Sequence, residues 1–147
     1  MAQTAANTIR LNCGIAARHV EMIADAALSP GYLCRRTTTG ANTCAKHATA
    51  GGIAECLIAC EDVLRSKTID DAYAADDPVQ LVIPQKGDIV LLKLAAAATA
   101  VTRAHTLESA GDGTVRIYAA GVRLFQVVEA VDNSAGATEV FVKAAVL

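Results

Sequence analysis

Five cysteines, three histidines and one aspartate-rich run are the residues of this 147-residue chain whose types could do chemistry. Cys44 and His47, then Cys56 and Cys60, are separated by gaps of the kind that occur around zinc, where thiolates and imidazoles complete a tetrahedron. Against that, Thr49-Ala50-Gly51-Gly52 followed by Ile53, Leu57 and Ile58 reads as a turn entering a buried strand. A free cysteine packs as a small core hydrophobe, so the expectation is buried thiols with no resident metal or cofactor. Nucleophilic catalysis needs a Cys or Ser beside a base that a third group orients. His19, His47 and His105 sit in no such local motif, so no catalytic residue is assigned and the chain reads as a non-enzyme. Asp70, Asp71, Asp76 and Asp77 could offer oxygens to calcium, but they lack the alternating ligands and central glycine of an EF-hand loop. They read as a solvated turn leading into a strand at Val79. Gly111-Asp112-Gly113 lacks the Lys-Ser/Thr pair of a phosphate loop and suits a tight hairpin turn.

The elements that would position these groups are constrained by composition. Hydrophobic residues make up 53% of the chain, yet aromatics only 3%, with no Trp. Small side chains bury little area each, at about 25 cal/mol per Å² of apolar surface, so self-association would add useful burial. A formal net charge of −2 argues against nucleic acid as a partner, since such surfaces are basic. No run approaches the ~18 apolar residues of a membrane helix, and Lys93 interrupts the longest candidate, Leu91 to Val101. The N-terminus has no basic stretch followed by an apolar one, which predicts a protein kept in a cytoplasm with reduced thiols.

Along the chain, residues 1–10 read as an extended arm and residues 11–147 as a single β domain. Arg18 to Ile23 suits a strand or a short helix, and Ser29-Pro30-Gly31 is a strong turn signal. Tyr32 to His47 predicts a hairpin about Thr38–Asn42. Ile53, Cys56, Leu57 and Cys60 fit a helical stripe. A weak internal repeat favours a strand there instead: Pro30-Gly31-Tyr32-Leu33 echoes Ala104-His105-Thr106-Leu107, and Leu57-Ile58-Ala59-Cys60-Glu61-Asp62 echoes Phe125-Gln126-Val127-Val128-Glu129. Further strands are predicted at Val79–Ile83, Ile89–Leu94, Thr114–Tyr118, Val122–Ala130 and Thr138–Val146, with a helical turn or loop at Ala95–Thr102. Many short strands with closely spaced turns indicate a mainly β fold, a compact β-sandwich or β-barrel with little helix.

Four segments carry a resemblance to known proteins. They are Lys67 to Gln80, with Ile69-Asp70-Asp71-Ala72-Tyr73 at its centre; Leu107 to Arg116; Glu129 to Ser134; and His47-Ala48-Thr49-Ala50-Gly51-Gly52. Taken in chain order they resemble the head decoration (capsid cement) proteins of tailed bacteriophages, over about Leu33 to Val146. The resemblance implies a structural virion protein without catalytic residues. It implies binding to the outer surface of the expanded head, as a trimer at local threefold positions, with the major capsid protein as partner. The arm is then expected to add a strand to a neighbour's sheet, which makes Thr4, Asn7, Ile9 and Arg10 the expected contact residues. Two alternatives stand beside it. One is a cytoplasmic carrier or binding module, because Lys86 in Pro84-Gln85-Lys86-Gly87-Asp88 is placed similarly to the modifiable lysine of swivelling carrier domains. The other is a small zinc-binding protein using Cys44, His47, Cys56 and Cys60.

Overall fold

Short β-branched runs between Gly, Pro and Asn turns become strands in the computed structural model, which describes residues 7–12 and 18–147. The strands are β1 (Arg10–Asn12), β2 (Arg18–Ala24), β3 (Leu33–Arg36), β4 (Thr43–Lys46), β5 (Leu57–Ala59) and β6 (Pro78–Ile83). After them come β7 (Ile89–Leu94), β8 (Thr106–Ser109), β9 (Val115–Ile117), β10 (Phe125–Val127) and β11 (Val140–Val146). A single 3₁₀ turn, Val63–Arg65, is the only helical element among the described residues.

The strands form two rings of the same design. β2, β4, β3, β5 and β6 close a first barrel. In the second ring β7, β11, β10, β8 and β9 follow one another, and a β7–β9 pairing completes the circuit. In each ring one parallel contact makes the closure: Ala24 lies opposite Cys44 in the first, Leu94 opposite Val115 in the second. Cys34 pairs with Lys46 on one side and Leu57 on the other. Leu107 likewise pairs with Ile117 and Phe125. Even the isolated bridges match, Leu28 with Tyr73 and Val101 with Val131. The weak sequence repeat is therefore a structural one, set one residue away from the alignment read in the sequence: Leu107 corresponds to Cys34, not to Leu33.

Side-chain alternation divides the core accordingly. Cys34, Leu57 and Leu81 point into the first barrel with Met22, Leu28, Cys44 and Tyr73. Their neighbours Leu33, Ile58 and Val82 point outward and join the lining of the second barrel, which includes Leu92, Leu107, Val115, Phe125 and Val142. Strands buried on both faces read as continuous apolar runs rather than alternating ones. That is why Leu57-Ile58-Ala59 imitated a helical stripe and yet forms β5.

Two expectations need correction. Thr106–Ser109 forms a strand that is absent from those predicted, and the strand expected over Val122–Ala130 contracts to Phe125–Val127. Within the expected arm, Ile9 and Arg10 already pack and pair with the domain. Ile9 is fully buried in the shared core, and the backbone of β1 is laid against β7, with the Leu91 N–H donating to the Ile9 carbonyl at 2.8 Å. Ile9 and Arg10 thus belong to the second ring of their own chain; Asn7 is exposed ahead of it, and Thr4 lies outside the described residues.

Candidate functional site

The polar residues singled out in the sequence gather mostly at the junction of the two barrels. His47 directly follows β4, and its backbone is tied on both sides: its N–H donates to the Leu33 carbonyl at 2.8 Å and its carbonyl accepts from the Gly113 N–H at 3.1 Å. Its ring is held as firmly. Nε2 lies 3.0 Å from the Ile53 carbonyl, which can only accept, so Nε2 carries a hydrogen. Nδ1 lies 2.7 Å from the Ser109 hydroxyl on β8. A serine this close to a histidine is half of a nucleophilic pair, but Ser109 is fully buried and its oxygen also accepts the Gly111 N–H at 3.2 Å. The pair fastens one barrel to the other. It escaped sequence reasoning because 62 positions separate its members.

Beside it stands Glu108, a fully buried carboxylate. Oε1 receives the Arg116 guanidinium at 2.8 and 2.9 Å, and Oε2 receives the Gly121 N–H at 2.8 Å. Burial alone would raise this carboxyl; the Gly121 N–H, the Arg116 guanidinium and the Ala119 N–H together hold it below its ordinary value. The loop it holds must come very close to the first barrel: a Cβ on Gly121 would meet Gly51 backbone at 2.3 Å. The Gly111-Asp112-Gly113 turn obeys the same constraint, since Gly111 has φ +92° and a Cβ there would sit 2.8 Å from the Ala50 nitrogen. Glycine is needed at this turn for its fit against the first barrel as well as for its bend.

The four zinc candidates do not converge. Cys44 lies inside the first barrel, Cys60 belongs to the other core cluster with Cys56 packed against it, and both ring nitrogens of His47 are occupied. Among the described residues no group of three or more His, Cys, Asp or Glu side chains could hold a metal ion. Cys34, Cys44 and Cys56 are free thiols; burial raises the Cys34 and Cys56 thiols and pushes Cys44 up to about 11. The aspartates behave as turn formers. Asp71 accepts the Thr68 N–H and hydroxyl at 2.7 and 2.9 Å, and Asp77 accepts the Ala74 N–H at 2.8 Å. Lys86 is exposed in the connection between β6 and β7, strands that belong to different rings and do not pair with each other, so it is not at a hairpin tip as a carrier lysine would be.

A cleft of about 520 Å³ lies between β1, the outer face of β2 and β6, and the long β5–β6 connection. Arg10, His19, Glu61 and Gln80 supply its polar wall, and Val63 and Leu64, 70% and 89% exposed on the 3₁₀ turn, supply an apolar one. The Glu61 carboxylate accepts the Ile9 N–H at 3.0 Å and so anchors β1. Arg10 reaches across through Nη1 to His19 Nε2. Of the expected contact residues that the structure describes, Arg10 lines this cleft. No helix among the described residues is long and apolar enough to cross a membrane. No protein-family model matches the chain, and no curated protein matches it either.

Proposed function

We propose that this chain is a structural protein of a tailed-phage virion. It binds the outer surface of the expanded head as a homotrimer and cements neighbouring capsomers against the pressure of packaged DNA, after assembly in the host cytoplasm. The observation that carries the proposal is how the buried polar side chains are spent. His47, Ser109 and Glu108 all lock turns or join the two barrels, which suits a brick that resists deformation better than a site that turns over substrate. Two of the four segments behind the phage resemblance fall on these joints. His47 to Gly52 and Leu107 to Arg116 meet at the barrel junction, and Lys67 to Gln80 forms the connection into β6. With few aromatic anchors, the reading calls for wide contacts repeated over a lattice, where effective concentration multiplies a modest single-site affinity.

Co-sedimentation with expanded, DNA-free heads and with unexpanded procapsids tests this. Saturable binding to expanded heads at a fixed ratio to the major capsid protein is expected, and no binding to either form rejects it. An arm contribution must be tested by deleting residues 1–6 only, because removing Ile9 would open the core. Unchanged occupancy after that deletion would remove the arm from the account.

A further inference from the structure

The repeat of the two rings exposes a difference between them. In the second ring the first half of β7 is covered by β1, through the Leu91 N–H. Counting along the shared register, with Val20 opposite Leu81 as Val90 is opposite Ala144, Glu21 is the counterpart of Leu91. The Gln80 carbonyl accepts from Cys60, the residue after β5, so Gln80 turns its backbone away from β2, and Glu21 opposite it turns its own away from β6. The Glu21 carbonyl accordingly meets the Asn42 side-chain amide at 2.7 Å. The Glu21 N–H and the backbone groups of His19, two residues earlier on the same edge, have no partner among the described residues. β4 reaches β2 only at Ile23 and Ala24. Where the second ring carries an added strand, the first has an edge that no described residue covers.

That edge borders the cleft, to which His19 and Gln80 both contribute. Inside it, Arg10 has five N–H donors to satisfy. One meets His19, whose imidazole burial and the Arg10 charge hold below its ordinary value. Nε is buried with no partner, and none of the ion pairs among the described residues includes Arg10. Val63 and Leu64 flank the cavity on the β5–β6 connection, which runs from 60 to 77 where its counterpart in the second ring runs only from 128 to 139.

We propose that this edge of β2 and the adjoining cleft form one docking site for an extended segment of a shell subunit. The segment pairs its backbone with His19 and Glu21, directs a carboxylate to Arg10 and rests an aliphatic side chain on Val63 and Leu64. The site rests on the cement reading and names the surface through which it works. Main-chain pairing supplies affinity and the cleft supplies selectivity, as in other strand additions; β1 on β7 shows the same pairing within the chain.

Amide hydrogen exchange of the full chain, free and bound to expanded DNA-free heads, reads the backbone half. The Glu21 and His19 amides should slow by about tenfold or more on binding, and unchanged exchange overturns the site. Co-sedimentation reads the rest. Glu21→Pro removes the outward N–H at an edge position where proline is tolerated. Arg10→Met and Leu64→Ser remove the charge and the apolar rim. Each should weaken head binding by about tenfold, as the loss of one good contact does; wild-type binding by all three overturns the site while leaving the cement reading intact. If the wild-type chain itself fails to bind heads, the cement reading falls and takes the shell subunit with it. Sedimentation velocity of the free protein separates the remaining occupant: variants that dissociate an oligomer assign the edge to a second copy of this chain and overturn the shell segment. Should Glu21→Pro fail to fold, Arg10→Met and the exchange data decide alone.

Discussion

Where the first barrel buries the Cys34 thiol the second buries Leu107, where the first buries Cys44 the second buries Val115, and Leu57 gives way to Phe125. One pairing scheme thus tolerates two linings. The second ring is filled by larger hydrocarbon side chains and shares its core with the outward faces of the first. The first is filled by thiols, Met22 and two tyrosines whose hydroxyls find partners: Tyr73 donates to the Cys60 carbonyl at 2.6 Å, and Tyr32 contacts Glu139 at 3.0 Å. The lesson is that strand register, set by backbone pairing and turns, outlasts the identity of the residues that fill it. The second ring should then contribute more of the stability, and the first more of the surface left for contacts.

The most severe way to break this comparison is to empty equivalent positions. Phe125→Ala should cost about 3–5 kcal/mol and Leu57→Ala about 2–5 kcal/mol, with urea midpoints falling further for Phe125. A larger loss at Leu57 would reverse the ranking of the two rings. The next contrast concerns charge. Arg35 is the counterpart of Glu108 and is exposed. Glu108→Gln should cost about 1–3 kcal/mol by leaving buried groups poorly paired, whereas Arg35→Ala should stay within about 0.5 kcal/mol.

That contrast sharpens with pH. A carboxyl held below its ordinary value contributes stability that is complete above its unfolded pKa and is lost as pH falls through the folded one. The gap between wild type and Glu108→Gln in urea titrations should therefore close progressively below about pH 4.5, the ordinary glutamate value. A constant gap down to pH 2 would mean that the Glu108 charge does not contribute. The smallest effect is kinetic. With Cys13 replaced by Ser, a thiol reagent at pH 8 should label half-buried Cys56 first and Cys34 and Cys44 only on unfolding, because the thiolate is the reactive form. Early labelling of Cys34 would show that the first barrel opens on its own.

The hairpin at Tyr32–His47, the strands at 79–83 and 89–94 and the mainly β class were legible because turn residues and β-branched runs act locally. β1 was not, since three residues of mixed polarity become a strand only against β7, some eighty positions away. Ser109, Glu108 and the cleft at Arg10 were hidden for the same reason. Their partners come from other elements, and no spacing in the sequence announces them. The repeat was legible only faintly, because pairing is conserved between the rings while side chains are not; its echo came from the short apolar runs at Leu57 and Phe125.

The placement of β1 also fixes an order of events during synthesis. The strands of the first barrel are contiguous in the chain and complete at Ile83, so that ring can close before the rest of the protein leaves the ribosome. β1 emerges before all of them yet finds its partner only with Leu91. At about 5–20 residues per second, Ile9 waits roughly 4–16 s for its place. For that interval the nascent chain carries a finished barrel with an unpaired strand and the apolar Ile9 trailing from its start, and cellular chaperones have that long to meet it.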